Sequence, residues 1–142
     1  MAVRNADAVW EGSLKDGKGK MKLGSGAFEG NYSYASRFEE GTGTNPEELL
    51  GAAHAGCFSM ALSSGLGRAG FTPQSIHTKA QVTLESVEGK SRITRIQLDT
   101  EASVPGISND QFQGIAQATK EGCPVSVALS NVPITLVARL LS

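Results

Sequence analysis

The segment Asn45-Pro46-Glu47-Glu48-Leu49-Leu50-Gly51-Ala52-Ala53-His54-Ala55-Gly56-Cys57-Phe58-Ser59-Met60 constrains the fold more than any other stretch of the chain. Thr44 or Asn45 can cap a helix, and Pro46 suits its first position. Glu47 and Glu48 fall in the first turn, where the helix dipole favours acids. The pattern predicts a helix running to about Arg68, with Gly70 as its stop. That helix is apolar on nearly every side, and a helix of this kind is buried all round. Gly51, Ala52, Ala53, Ala55, Gly56 and Ala61 are small and let other backbones approach closely.

The rest of the chain alternates between strand and helix signals. Residues 6–13 and 18–23 read as two short strands of a hairpin joined by Lys15-Asp16-Gly17, and 31–36 as a third. The four lysines between Lys15 and Lys22 read as a solvated hairpin edge. Residues 37–44 are a polar loop. Residues 74–85 alternate cleanly, with Ile76, Thr78, Ala80, Val82 and Leu84 on one side, as in a half-buried strand. Glu88-Gly89-Lys90 turns the chain into a partner strand over 91–103. Ser108 or Asn109 opens a second long helix, ended by Gly122. Pro124 starts a short third helix to about Ser130, and 134–141 form a last strand with both faces apolar. Strands, helix, strands, helices, strand make an α+β fold with mostly antiparallel pairing. One chain has little left to cover a two-sided strand and an all-round apolar helix, so an obligate dimer is expected.

Length and charge narrow the function. A chain of 142 residues fits a single domain, 1–142, that buries roughly 68% of its unfolded surface. Its net charge of −1 argues against nucleic acid or an anionic membrane as the main partner. No stretch reaches the ~18 consecutive apolar residues of a membrane span, and the N-terminus has no signal-peptide core. A cytoplasmic location is the expectation. Two cysteines are too few for a disulfide scaffold, and a cytoplasmic disulfide is more often catalytic than structural.

The two cysteines have different settings. With Pro124 at the first helical position, Cys123 is the N-cap. Its sulfur then faces free backbone N–H groups and the positive end of the dipole, which favour a thiolate. Cys57 lies in an apolar helix, where most cysteines are inert. Arg37 before the helix and Glu47-Glu48 at its start change that reading. Lowering a thiol from about 8.5 to about 6 requires about 3.4 kcal/mol. One guanidinium at about 4 Å supplies roughly 4 kcal/mol at an effective dielectric of about 20. A carboxylate would fix that arginine through a bidentate pair. Glu47 lies about 15 Å before Cys57 along a straight helix. Either a long arginine bridges the gap, or the glutamate beside a given Cys57 belongs to a dimer partner.

These residues resemble a known family. The run from Asn45 to Ser63 is similar to the signature of the osmotically inducible protein C / organic hydroperoxide resistance superfamily, and Gly122-Cys123-Pro124-Val125-Ser126 to its second-cysteine motif. Trp10-Glu11-Gly12, Arg37-Phe38-Glu39, Ala69-Gly70-Phe71-Thr72-Pro73 and Val104-Pro105-Gly106-Ile107 extend the resemblance over nearly the whole chain. The arginine just before the helix resembles the osmotically inducible branch. The resemblance implies an intertwined homodimer, with antiparallel sheets packed around a long central buried helix and active sites at the subunit interface. It implies a thiol peroxidase of oxidative and osmotic stress defence, reducing organic hydroperoxides and hydrogen peroxide. Cys57 would be the peroxidatic thiolate that becomes a sulfenic acid, and Cys123 the resolving thiol that closes a disulfide. Arg37 would stabilise the thiolate and orient the peroxide. Glu47 would orient the arginine, with Glu48 as the other acid available. No prosthetic group is implied, and recycling would fall to a dithiol, of lipoyl type in the organic hydroperoxide branch.

Two other classes fit parts of the chain. His54 and Cys57, three residues apart on one helix, would need His77 and Cys123 to complete a zinc site. That spacing is not a usual ligand pair, and His54 reads better as a packed or hydrogen-bonded helix residue. A non-catalytic protein binding a bulky organic ligand would use the same apolar surroundings, without needing both cysteines.

Overall fold

Three short antiparallel strands open the chain: β1 (Ala6–Glu11), β2 (Lys18–Leu23) and β3 (Glu29–Tyr32), in the order β1-β2-β3. A computed structural model of the protein describes residues 1–141. β2 is the centre of this sheet and not its edge, so its lysines do not guard an edge. Lys18, Lys20 and Lys22 alternate onto the exposed face instead, and Lys20 pairs with Glu29 at 3.5 Å. The rings of Trp10 and Tyr32 stand 5.3 Å apart. They close over Gly19, where a Cβ would come within 2.5 Å of Tyr32 and 2.6 Å of Trp10.

The chain then departs from the predicted third strand. Tyr34–Phe38 is a short helix, α1. Ser33 and Ser36 cap it reciprocally, each hydroxyl accepting the other's backbone N–H, at 3.1 and 2.8 Å. The following loop folds back. The Ser36 hydroxyl donates to the Thr44 carbonyl at 2.8 Å, and the Asn45 side chain donates to the Ser36 carbonyl at 3.0 Å. Gly43 takes φ +111, a conformation that side chains rarely adopt, and its Cβ would meet the Asn31 carbonyl.

The long helix α2 (Pro46–Arg68) has the predicted bounds. Asn45 is the cap, its side-chain oxygen accepting the Glu48 N–H at 2.8 Å. Gly70, at φ +91, ends it, and the Phe71 N–H closes on the Leu66 carbonyl at 2.9 Å. Within one chain α2 is not buried all round. His54, Phe58, Leu62 and Leu66, spaced four apart, form the buried stripe, while Met60 on another face is 78% exposed. By length and composition alone, α2 is also long and apolar enough to cross a membrane. Its buried stripe packs as a core helix does.

That packing belongs to one of two compact units, the first covering Met1–Leu49 and the second starting at Leu50. In the second, β4 (Ser75–Val87) and β5 (Lys90–Ser103) pair antiparallel around a turn with positive φ at Glu88 and Gly89. Helices α3 (Asn109–Gly122) and α4 (Pro124–Ala128) follow, and β6 (Ile134–Leu140) completes the sheet order β4-β5-β6. β6 runs parallel to β5. The intervening helices carry the chain back to the starting end, as a parallel connection requires. The core holds Phe58, Leu62 and Leu66 of α2 against Ile96 and Leu98 of β5 and Phe112 of α3.

Candidate functional site

In the N-terminal unit, α1 and the loop folded back on it set an arginine beside an acid. Arg37 ends α1 and Glu47 opens α2. The Arg37 Nε donates to Glu47 Oε1 at 2.9 Å and its Nη2 donates to Oε2 at 3.0 Å. This is the two-pronged geometry that fixes a guanidinium in direction as well as place. Glu47 is 7% exposed. Glu48 is used otherwise, accepting from the Thr44 hydroxyl at 2.9 Å. Of the two acids left open by the sequence, Glu47 holds the arginine. Beside Arg37 lies a pocket of about 230 Å³, lined by Trp10, Leu14, Tyr32, Tyr34 and Phe38. The sequence alone does not reveal this aromatic pocket, because its residues are spread over three elements.

In the C-terminal unit, α2 and the start of α4 bring the two cysteines together. Both are free thiols, Cys57 half-buried and Cys123 buried. Cys123 caps α4 as its position before Pro124 predicts, and its sulfur accepts the Ser126 N–H at 3.4 Å. Cys57 has the backbone of Val125 and the side chain of Cys123 as its neighbours. Burial pushes the Cys57 thiol above its ordinary value. The Val125 N–H opposes the shift, and neighbouring Cys123 adds to it. These surroundings favour the neutral thiol over the thiolate.

Ser126 is the residue sequence reading missed here. Its hydroxyl lies 3.1 Å from Cys123 Sγ and 2.7 Å from His54 Nε2. Its position three residues after the cap was the available signal. His54 is hydrogen-bonded, as its place on the helix suggests, and wholly buried. The zinc reading loses its geometry: His77 lies on the exposed side of β4, 3.8 Å from Glu101. Among the described residues, no three His, Cys, Asp or Glu side chains are arranged to hold a metal ion.

The sequence matches the family model for OsmC-like protein over residues 39–137. The chain belongs to the OsmC-like family. The match includes Glu47 and both cysteines, and starts two residues after Arg37. Among characterised relatives, the peroxiredoxin OsmC of Escherichia coli is 51% identical over 140 residues, covering 98% of this chain and 97% of the relative. The organic hydroperoxide resistance protein of Xanthomonas axonopodis is 29% identical over 100 residues, covering 68% and 67%. The OsmC-like fold is found in solved structures as well. An OsmC-like protein from Mycoplasma pneumoniae superposes with a TM-score of 0.76 at 16% identity, over 99% of both chains. An OsmC organic hydroperoxide resistance protein from Legionella pneumophila gives 0.73 at 21% identity, over 98% and 99%.

Proposed function

We propose that this OsmC-like chain is a thiol peroxidase that reduces organic hydroperoxides, and hydrogen peroxide as a smaller substrate, in oxidative and osmotic stress defence. The Cys57 thiolate attacks the peroxide oxygen and the O–O bond breaks. The alkoxide leaves, takes a proton to become an alcohol, and Cys57 is left as a sulfenic acid. Cys123 attacks that sulfur, closes the Cys57–Cys123 disulfide and releases water. A dithiol, of lipoyl or similar type, restores both thiols.

The observation that carries this reading is the contact between Cys57 and Cys123 at the start of α4. Two free thiols that are neighbours in the fold are the arrangement a disulfide-forming pair requires. The names of the relatives, a peroxiredoxin and an organic hydroperoxide resistance protein, support the substrate class.

Arg37, fixed by Glu47, supplies the positive charge. It offsets the burial that holds Cys57 as a thiol and orients the peroxide. The aromatic pocket beside Arg37 suits an organic substituent. The protein acts as a homodimer, which supplies the surface needed by exposed Met60 on α2 and Val137 on β6. It works in the cytoplasm on a diffusing peroxide, with neither nucleic acid nor membrane as partner, in keeping with its net charge of −1.

The test is a single turnover of the reduced protein with an organic hydroperoxide. Cys123→Ser should consume one equivalent and stall with a sulfenic acid on Cys57, trapped by dimedone and located by mass spectrometry. No trapped adduct at Cys57, or repeated turnover without Cys123, would rule the reading out.

A further inference from the structure

The start of α4 holds more than two sulfurs. Ser126 Oγ stands between Cys123 Sγ at 3.1 Å and His54 Nε2 at 2.7 Å, and the three form an unbroken buried chain. The other ring nitrogen of His54, Nδ1, is buried with no hydrogen-bond partner among the described residues. An unpartnered buried nitrogen costs stability. A leucine would fill the same space on the α2 stripe, between Gly51 and Phe58, without that cost. Packing therefore does not account for a histidine here.

We propose that Ser126 and His54 form a proton relay that deprotonates Cys123 for its attack on the Cys57 sulfenic acid. The inference rests on the peroxidase reading above and adds to its second step one residue that touches the reacting sulfur, Ser126, and one that acts through it, His54. The Cys123 thiol gives its proton to Ser126 Oγ as the Ser126 hydroxyl gives its own to His54 Nε2. The product is a thiolate facing an imidazolium through one hydroxyl. That hydroxyl now donates to the sulfur, as the Ser126 N–H already does at 3.4 Å. The thiolate's electron pair then forms the S–S bond, and the S–O bond of the sulfenic acid breaks. The departing hydroxide takes the imidazolium's proton and leaves as water, returning His54 to neutral.

The ring is suited to this use. Burial lowers the basicity of His54, so it begins neutral with a nitrogen able to accept. Among the described residues no carboxylate or carbonyl pins Nδ1, so nothing there fixes the ring's proton on one side.

The two steps separate in rapid-mixing experiments on the full reduced chain with one equivalent of cumene hydroperoxide. Dimedone-trapped sulfenic acid reports the first step, and disulfide in alkylated, acid-quenched samples reports the second. His54→Gln keeps a hydrogen-bonding group against Ser126 but cannot carry the proton; Ser126→Ala removes the bridge. Both should form the sulfenic acid at the wild-type rate and close the disulfide about 10²-fold more slowly, the scale of a lost general base. Closure at the wild-type rate in either folded variant overturns the relay. So does a parallel fall of both steps in a variant whose circular dichroism is native. If neither variant folds, wild-type closure in D₂O decides: slowing of that step supports the relay, and no slowing overturns it. Failure of wild-type protein to form any Cys57 sulfenic acid would instead remove the peroxidase reading itself.

Discussion

In residues 1–49 the buried side chains are Ser36, Thr44 and Glu47, all polar; from residue 50 onward they include Phe58, Leu62, Leu66, Leu98 and Phe112. The N-terminal unit is tied by hydrogen bonds and an ion pair, while its Val9 and Leu14 stay exposed. The C-terminal unit has the dry core. Each keeps the reactive group its surroundings tolerate. A guanidinium stays charged at little cost among polar partners and beside a carboxylate. A thiol is comfortable in an apolar core, but its thiolate is not. The proposed mechanism draws on both groups, one from each unit.

The strongest way to break this comparison is to remove the sulfur from the dry unit. Cys57→Ser should lower hydroperoxide consumption by at least about 10³-fold in steady-state assays, because a serine hydroxyl is not ionised or activated there. Retained turnover would move the chemistry elsewhere. Next is the core itself. Phe58→Ala should destabilise the protein by about 3–5 kcal/mol in urea unfolding, while Val9→Ala in the first hairpin should change it by less than about 0.5 kcal/mol. Equal losses would mean that the first unit carries a core of its own.

A smaller effect tests the charge. The double variant Arg37→Met/Glu47→Gln leaves no buried unpaired charge. It should slow Cys57 sulfenic acid formation by about 10²-fold, the scale of a lost electrostatic contact to the reacting centre, with little change in urea stability. An unchanged rate would separate the ion pair from the chemistry. The smallest effect is a slope. His54 is less basic folded than unfolded, so the unfolded chain binds more protons below its unfolded value near 6.5. Stability should be full above that value and fall as pH drops toward the lower folded one. His54→Gln should flatten the decline measured by urea unfolding across that range.

Much of the frame was legible in the residues. The bounds of α2 follow from a cap, a proline and a positive-φ glycine, which are local chemistry. β4 follows from the alternation of residues 74–85, interrupted by a register shift between Thr83 and Leu84, and β5 from the turn at Glu88-Gly89-Lys90. What escaped depends on partners distant in sequence. α1 is five residues long, too short for periodicity, and rests on two serines. The direction of β6 is set by what α3 and α4 do between it and β5. The choice of Glu47 over Glu48 turned on Thr44, which occupies the second acid. Ser126 gained its place only once α2 brought His54 to the start of α4.

The parallel pairing of β6 with β5 has a consequence for synthesis. β5 finds β4 at once across a tight turn, but its other edge waits for β6. Residues 104–140 take about 2–7 s to emerge at ordinary elongation rates of about 5–20 residues per second. During that interval Ile96, Leu98 and Ala102 sit on a strand with one open edge, the kind of surface on which nascent chains pair wrongly. The newly made protein is therefore most vulnerable to aggregation in the interval before β6 emerges.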